Sequence, residues 1–204
     1  MSSSALYRWA GLANIAAAIL VVAGRILHPA DQAANVVTSA WVTAHILTLV
    51  AILVGIPGVF GVYIRQARST GGLGFLGFLL IFLGLGGFLG IVYFEAFINP
   101  VLATEAPSFL EKQFSGQLPG ALNTILPVTG IAFALGWLLF GIGTYRASIL
   151  PRWSAVLAFI GAIPLGLRPF FPGSVVTIGT VIFGLGILWL GYALISGKEM
   201  PRPA

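Results

Sequence analysis

The chain has 204 residues, 58% hydrophobic and 7% charged, with a mean hydropathy of +1.04 and a net charge of +5. Soluble domains carry about 25% charged residues, so ten Lys and Arg with five Asp and Glu are too few to solvate a globule of this size. This balance excludes a water-soluble enzyme, a nucleic-acid-binding module and a disordered tail. The absence of cysteine excludes disulfide, iron–sulfur and thiol chemistry.

A membrane span needs about 20 mostly apolar residues. The charge-free windows therefore predict an all-α, six-helix transmembrane bundle, a single integral membrane domain over residues 1–204. The spans are residues 7–27, 42–64, 71–98, 121–145, 151–168 and 174–197. The first opens at Arg8 and Trp9 and ends at Arg25 and His28. It has the grammar of a signal peptide, but its apolar run is as long as a full span, so it is read as a retained helix. The second is stopped by Arg65 and Arg68. The third is the richest in glycine, and Gly86 with Gly90 makes a small-xxx-small pair expected to seat a neighbouring helix. A polar stretch, residues 104–119, holds Glu105, Glu111 and Lys112. The fourth span ends at Arg146, and the fifth is short and contains Pro164. The sixth ends at Lys198. Pro57, Pro127 and Pro164 fall inside spans, where each frees a carbonyl and is expected to kink its helix; packing geometry and transporter hinges both fit.

Six spans put both termini on one side. That side collects Arg8, Arg65, Arg68, Arg146, Arg152, Lys198 and Arg202, against Arg25, Lys112 and Arg168 on the other, which also holds Asp31, Glu95, Glu105 and Glu111. The excess of Arg and Lys places both termini in the cytoplasm. Trp9, Tyr63, Tyr145, Trp153 and Tyr192 form the aromatic belt expected there. Leu6-Tyr7-Arg8-Trp9-Ala10 reads like Leu150-Pro151-Arg152-Trp153-Ser154. Gly-Tyr pairs close the inward-going helices, at Gly191-Tyr192 for example. Three hairpins in parallel repeat account for this pattern, and so does a plain preference for these residues at the interface.

Ionisable groups at membrane depth mark functional sites. At about 1.5 Å per residue, His28 lies roughly 29 Å beyond Trp9, at the outer boundary. His45 and Glu95 open the second span and close the third at the same level. Arg25 stands three residues before His28, Trp41 four before His45 and Asn99 four after Glu95, and Arg168 closes the fifth span. Three readings of His28, His45 and Glu95 stay open. The histidines ligate haem b, with Arg25 and Arg168 toward its propionates. Alternatively, all three residues hold zinc with one open position. Or Glu95 pairs with Arg25 or Arg168, the histidines bond near headgroups, and the cluster pins helix ends. A polar pocket for a lipid, quinone or small solute uses the same residues. Asn14, at mid-span, is expected to make an interhelical hydrogen bond. No GxSxG, P-loop or dinucleotide fingerprint is present, and no carboxylate lies at mid-membrane, which disfavours ion-coupled transport.

The run Leu27-His28-Pro29, then Trp41 and His45, then Tyr93-Phe94-Glu95 and Leu150-Pro151-Arg152-Trp153, resembles a family of small polytopic bacterial integral membrane proteins. The resemblance implies an inner-membrane helix bundle and brings no activity, cofactor or site residue with it. The functional expectation is an accessory or scaffold subunit, or a small-ligand binder with a polar outer-leaflet pocket, partnered by the bilayer, by other membrane subunits or by its own copies, and not by nucleic acid. The alternative is a haem- or metal-dependent membrane enzyme or electron carrier.

Overall fold

The computed structural model describes residues 3–118 and 120–197; Lys198 and Arg202 of the charge count lie outside them. The described residues are helical, with no strand. Seven α-helices follow one another: α1 (Ser3–Leu27), α2 (Ser39–Tyr93), α3 (Asn99–Glu105), α4 (Pro107–Phe114), α5 (Leu122–Ala147), α6 (Arg152–Gly166) and α7 (Gly173–Ser196). Four helical stretches are long and apolar enough to cross a membrane: Ser4–Leu27, Ser39–Glu105, Leu122–Ala147 and Gly173–Ser196.

The second and third predicted spans are two helical arms of α2 that meet at a sharp kink, with no intervening loop. α2 is capped at its start by Thr38, whose hydroxyl accepts from the Trp41 amide at 3.3 Å, and runs through Arg65 and Arg68 without a loop. At Gly71 the backbone turns to φ 55°, ψ −150°, a conformation only glycine adopts freely. The two arms then lie antiparallel, with Tyr63 stacked on Phe78 at 4.5 Å and Phe60 edge-on to the same ring at 4.9 Å. The six long segments are thus α1, the two arms of α2, α5, α6 and α7.

Each segment packs against its neighbour in the chain, and α7 returns to pack against α1. The result is a closed ring of six. Glycine sets the spacing on the second arm: a Cβ on Gly77 would run into the backbone nitrogen of Phe140. Phe133, Trp137, Phe140 and Phe183 fill the core between α5, α7 and this arm. The outer faces carry Ile19, Leu83, Ile131 and Ile178, each more than half exposed, as a surface in contact with lipid requires.

Two expectations are corrected, and the polar stretch gains a structure. Gly86 and Gly90 seat no helix, since nothing lies within 4 Å of a Cβ built on either; the second arm meets α5 through Gly77 and Gly84 instead. The polar stretch after the third span is structured: α3 and α4 fold back, and Leu110 of α4 is 1% exposed against Val36 and Trp41. The fifth helix stops at Gly166, so Arg168 sits in a 3-10 turn, Arg168–Phe170, and not on the span.

Candidate functional site at the histidine end

The end of the ring away from the termini gathers the polar groups. α1 stops at Leu27 because Pro29 disfavours helix at the residue before it. This leaves His28 in a non-helical segment with its Nδ1 at 2.6 Å from the Pro29 carbonyl. Trp41 and His45, one turn apart on the first turns of α2, share a face. His45 Nδ1 lies 2.7 Å from the Trp41 carbonyl, and the rings of Trp41 and His45 are 4.3 Å apart. The His28 ring packs on both, 4.8 Å from His45 and 5.2 Å from Trp41.

Glu95 arrives from the far arm of α2 through a π-helical turn, Phe94–Ile98, a device common at functional sites. Within that turn the Asn99 amide reaches the Phe94 carbonyl. The corresponding partner for the Glu95 carbonyl would be Pro100, which has no N–H. The Trp41 indole fills the gap, donating from Nε1 to the Glu95 carbonyl at 2.8 Å. Pro100 and Trp41 together hold the carboxylate opposite His45, with Oε2 at 3.3 Å from Nε2.

The tautomers follow from these contacts. Each imidazole spends its Nδ1 proton on a carbonyl, which leaves Nε2 with a lone pair in the neutral ring. His28 Nε2, His45 Nε2 and Glu95 Oε2 are all buried without a hydrogen-bond partner among the described residues. Both side-chain atoms of Asn99, itself fully buried, and Oε1 of Gln113 share that state. Burial and the nearby Arg168 charge push the His28 pKa down to about 4, with His45 adding to the fall and Asp31, 3.8 Å away, opposing it.

A side cavity of about 340 Å³ opens beside this cluster, lined by Glu95 and Gln113 together with Phe94, Phe109, Gly86 and Gly90. The open glycine face of the second arm forms one wall. Glu95 and Gln113 are the polar side chains of an otherwise apolar lining.

The structure thus brings together His28, His45, Glu95, Trp41 and Asn99. It does not pair Glu95 with an arginine. Arg25 donates to Thr177 Oγ1 and to the Gly173 carbonyl, both at 3.0 Å, and Arg168 meets Asp31 at 3.4 Å. Nor do the histidines bond toward headgroups; their Nδ1 atoms are turned onto the backbone. Two imidazoles in ring contact leave no gap for a porphyrin, so a haem held between them does not fit. For zinc, the Nδ1–carbonyl contacts match the support that metal-bound histidines receive. As placed, however, no three His, Asp or Glu side chains among the described residues stand close enough to hold an ion.

Asp31 and Gln113 were missed from the sequence. Asp31 was within reach as the third residue after His28. Gln113 carried no signal, because only the folding back of α4 brings it to Glu95. Comparison with known proteins gave no matching family, curated protein or solved structure.

Proposed function

We propose that this protein is an integral membrane helix bundle that binds a small amphiphile at its histidine end, as a binding protein or an accessory subunit. The supporting observation is the side cavity, where Glu95 and Gln113 are the polar side chains on an otherwise apolar wall. A carboxyl group on an apolar wall accepts from a ligand hydroxyl or amine, and a charge-assisted bond of that kind is stronger than a neutral one. The cavity therefore suits an amphiphile with a hydroxyl or amine end, such as a lipid, a reduced quinone or a small solute, with its body along Gly86, Gly90, Phe94 and Phe109. The volume is in the range of small-molecule sites.

In this reading the chain sits in a bacterial inner membrane with both termini cytoplasmic, supported by Arg8, Arg65, Arg68, Arg146 and Arg152 at the terminal end. Dodecanol, dodecylamine and laurate test the site in detergent-purified protein, by native mass spectrometry and thermal shift. The alcohol and amine should each form one adduct and raise the melting temperature, laurate should not, and Glu95→Leu should abolish the effect. Equal binding by the variant, or none by the wild type, refutes the reading.

A second reading, a metal-dependent membrane enzyme, draws on the Nε2 atoms of His28 and His45 and on Glu95 Oε2, all without hydrogen bonds. Stoichiometric zinc in the purified protein, lost on His45→Ala, would carry it. Metal-free protein that binds dodecanol carries the first.

A further inference from the structure

Glu95 is the one charge-bearing side chain on the wall of the side cavity among the described residues. The other polar residue there, Gln113, is neutral, and no Lys, Arg or His borders the space. The two oxygens of the carboxyl group have different surroundings. Oε2 is buried against His45 Nε2, at 3.3 Å. The side chain nevertheless keeps 16% of its surface, and Oε1, which accepts no hydrogen bond from the described residues, is the oxygen that remains accessible.

No basic side chain compensates this group. Both arginines at the histidine end are engaged elsewhere, Arg25 with Thr177 and Gly173, Arg168 with Asp31. His45 presents only a lone pair to Oε2 while its Nδ1 holds the ring proton against the Trp41 carbonyl. A carboxylate at the edge of a membrane without a basic partner is costly, and a positive charge carried by a ligand offsets that cost. Phe94 and Phe109, with ring centroids 6.5 Å apart, border the same space, and aromatic rings attract cations.

We infer that the side cavity selects a cation: its ligand is an amphiphile with a primary ammonium group that donates to Glu95 Oε1. This deepens the binding reading above and rests on it. An ammonium group has two sources in a membrane, a free alkylamine and the headgroup of an ethanolamine lipid. The lipid also brings a phosphate, for which the wall carries no basic residue, so the free alkylamine is the ligand class assigned.

Dodecylamine, dodecanol and a lysophosphatidylethanolamine with a twelve-carbon chain are compared by native mass spectrometry in maltoside micelles. The measurement is made at about pH 8, above the ordinary carboxyl and imidazole range. Dodecylamine should bind one per chain and at least tenfold more tightly than dodecanol, since a charge-assisted bond is roughly twice as strong as a neutral one. Tighter binding by the lysolipid than by dodecylamine moves the site to lipid headgroups and overturns the assignment to a free amine. Glu95→Gln turns its amide donor to His45 and leaves a neutral carbonyl at the wall. It should bring the amine to within about threefold of the alcohol, and its melting curve checks that it is folded. The wild-type ratio tests the inference without any variant. Equal binding of amine and alcohol by the wild type, or a preference that survives Glu95→Gln, overturns the inference and leaves the binding reading in place. Binding of neither compound removes both.

Discussion

His45 Nε2 stands 3.3 Å from Glu95 Oε2, across the two helical arms of α2 that meet at the Gly71 kink. The contact joins the start of α2 to the turn that follows its end, so it closes the hairpin where the arms are farthest from their corner. His45 offers a lone pair here, and a carboxylate offers another; a single proton between them turns opposition into attraction. Glu95→Gln supplies an amide donor to the same lone pair and is expected to leave the melting temperature within about 2 °C. Glu95→Ala leaves the buried imidazole unmatched and should cost about 1–3 kcal/mol. Intrinsic tryptophan fluorescence during heating measures both, and an alanine variant as stable as wild type would show the pair to be idle.

His28 makes stability depend on pH. Its folded pKa of about 4 lies below the ordinary 6.5, so the fold favours the neutral ring. The associated stability is fully present above pH 6.5 and is lost as pH falls from there toward 4, by up to about 3 kcal/mol. Asp31, Arg168 and His45 face the ring. His28→Gln should flatten the loss between pH 6.5 and 4, read from melting curves across that range. An unchanged slope would mean that another group governs it.

Glycines on the second arm should differ sharply in tolerance. A Cβ on Gly77 collides with the Phe140 backbone, whereas one on Gly86 meets open space. Gly77→Val is expected to lose at least about 1–3 kcal/mol through overpacking. Gly86→Ala should hold or raise the melting temperature, through a gain in helix propensity of up to about 1 kcal/mol. Equal effects at the two positions would be incompatible with this packing.

The absence of cysteine makes single-cysteine labelling clean. Ser115→Cys, beyond α4 at the histidine end, should react with an impermeant maleimide added to intact cells. Ser69→Cys, near the Gly71 corner, should react only after lysis. The opposite pattern inverts the proposed orientation.

Much of the fold was legible because it rests on local quantities. Runs such as residues 174–197 are apolar all round, and in lipid such a run satisfies its backbone only as a helix. The convergence of His28, His45 and Glu95 at one level followed from counting residues along helices of known rise. Rotation about each axis was not legible. Depth alone left Glu95 equally free to meet Arg25, Arg168 or His45, and the choice went to His45 because the π-helical turn before Pro100 re-aims the carboxylate. Gly86 and Gly90 matched a packing pattern, yet the neighbouring helix chose Gly77 and Gly84, half a turn away in register.

Hydrophobicity and spacing by themselves therefore dictate that this chain forms six long apolar helical segments and which polar groups share a level, since each depends on the residue and its immediate neighbours. What required the assembled bundle was the closing of α7 on α1, the helix running on through Arg65 and Arg68 to the Gly71 kink, and the apolar cavity that all six segments border. Those features depend on which faces of distant helices meet, and packing between them is a property of pairs of surfaces that no single segment carries.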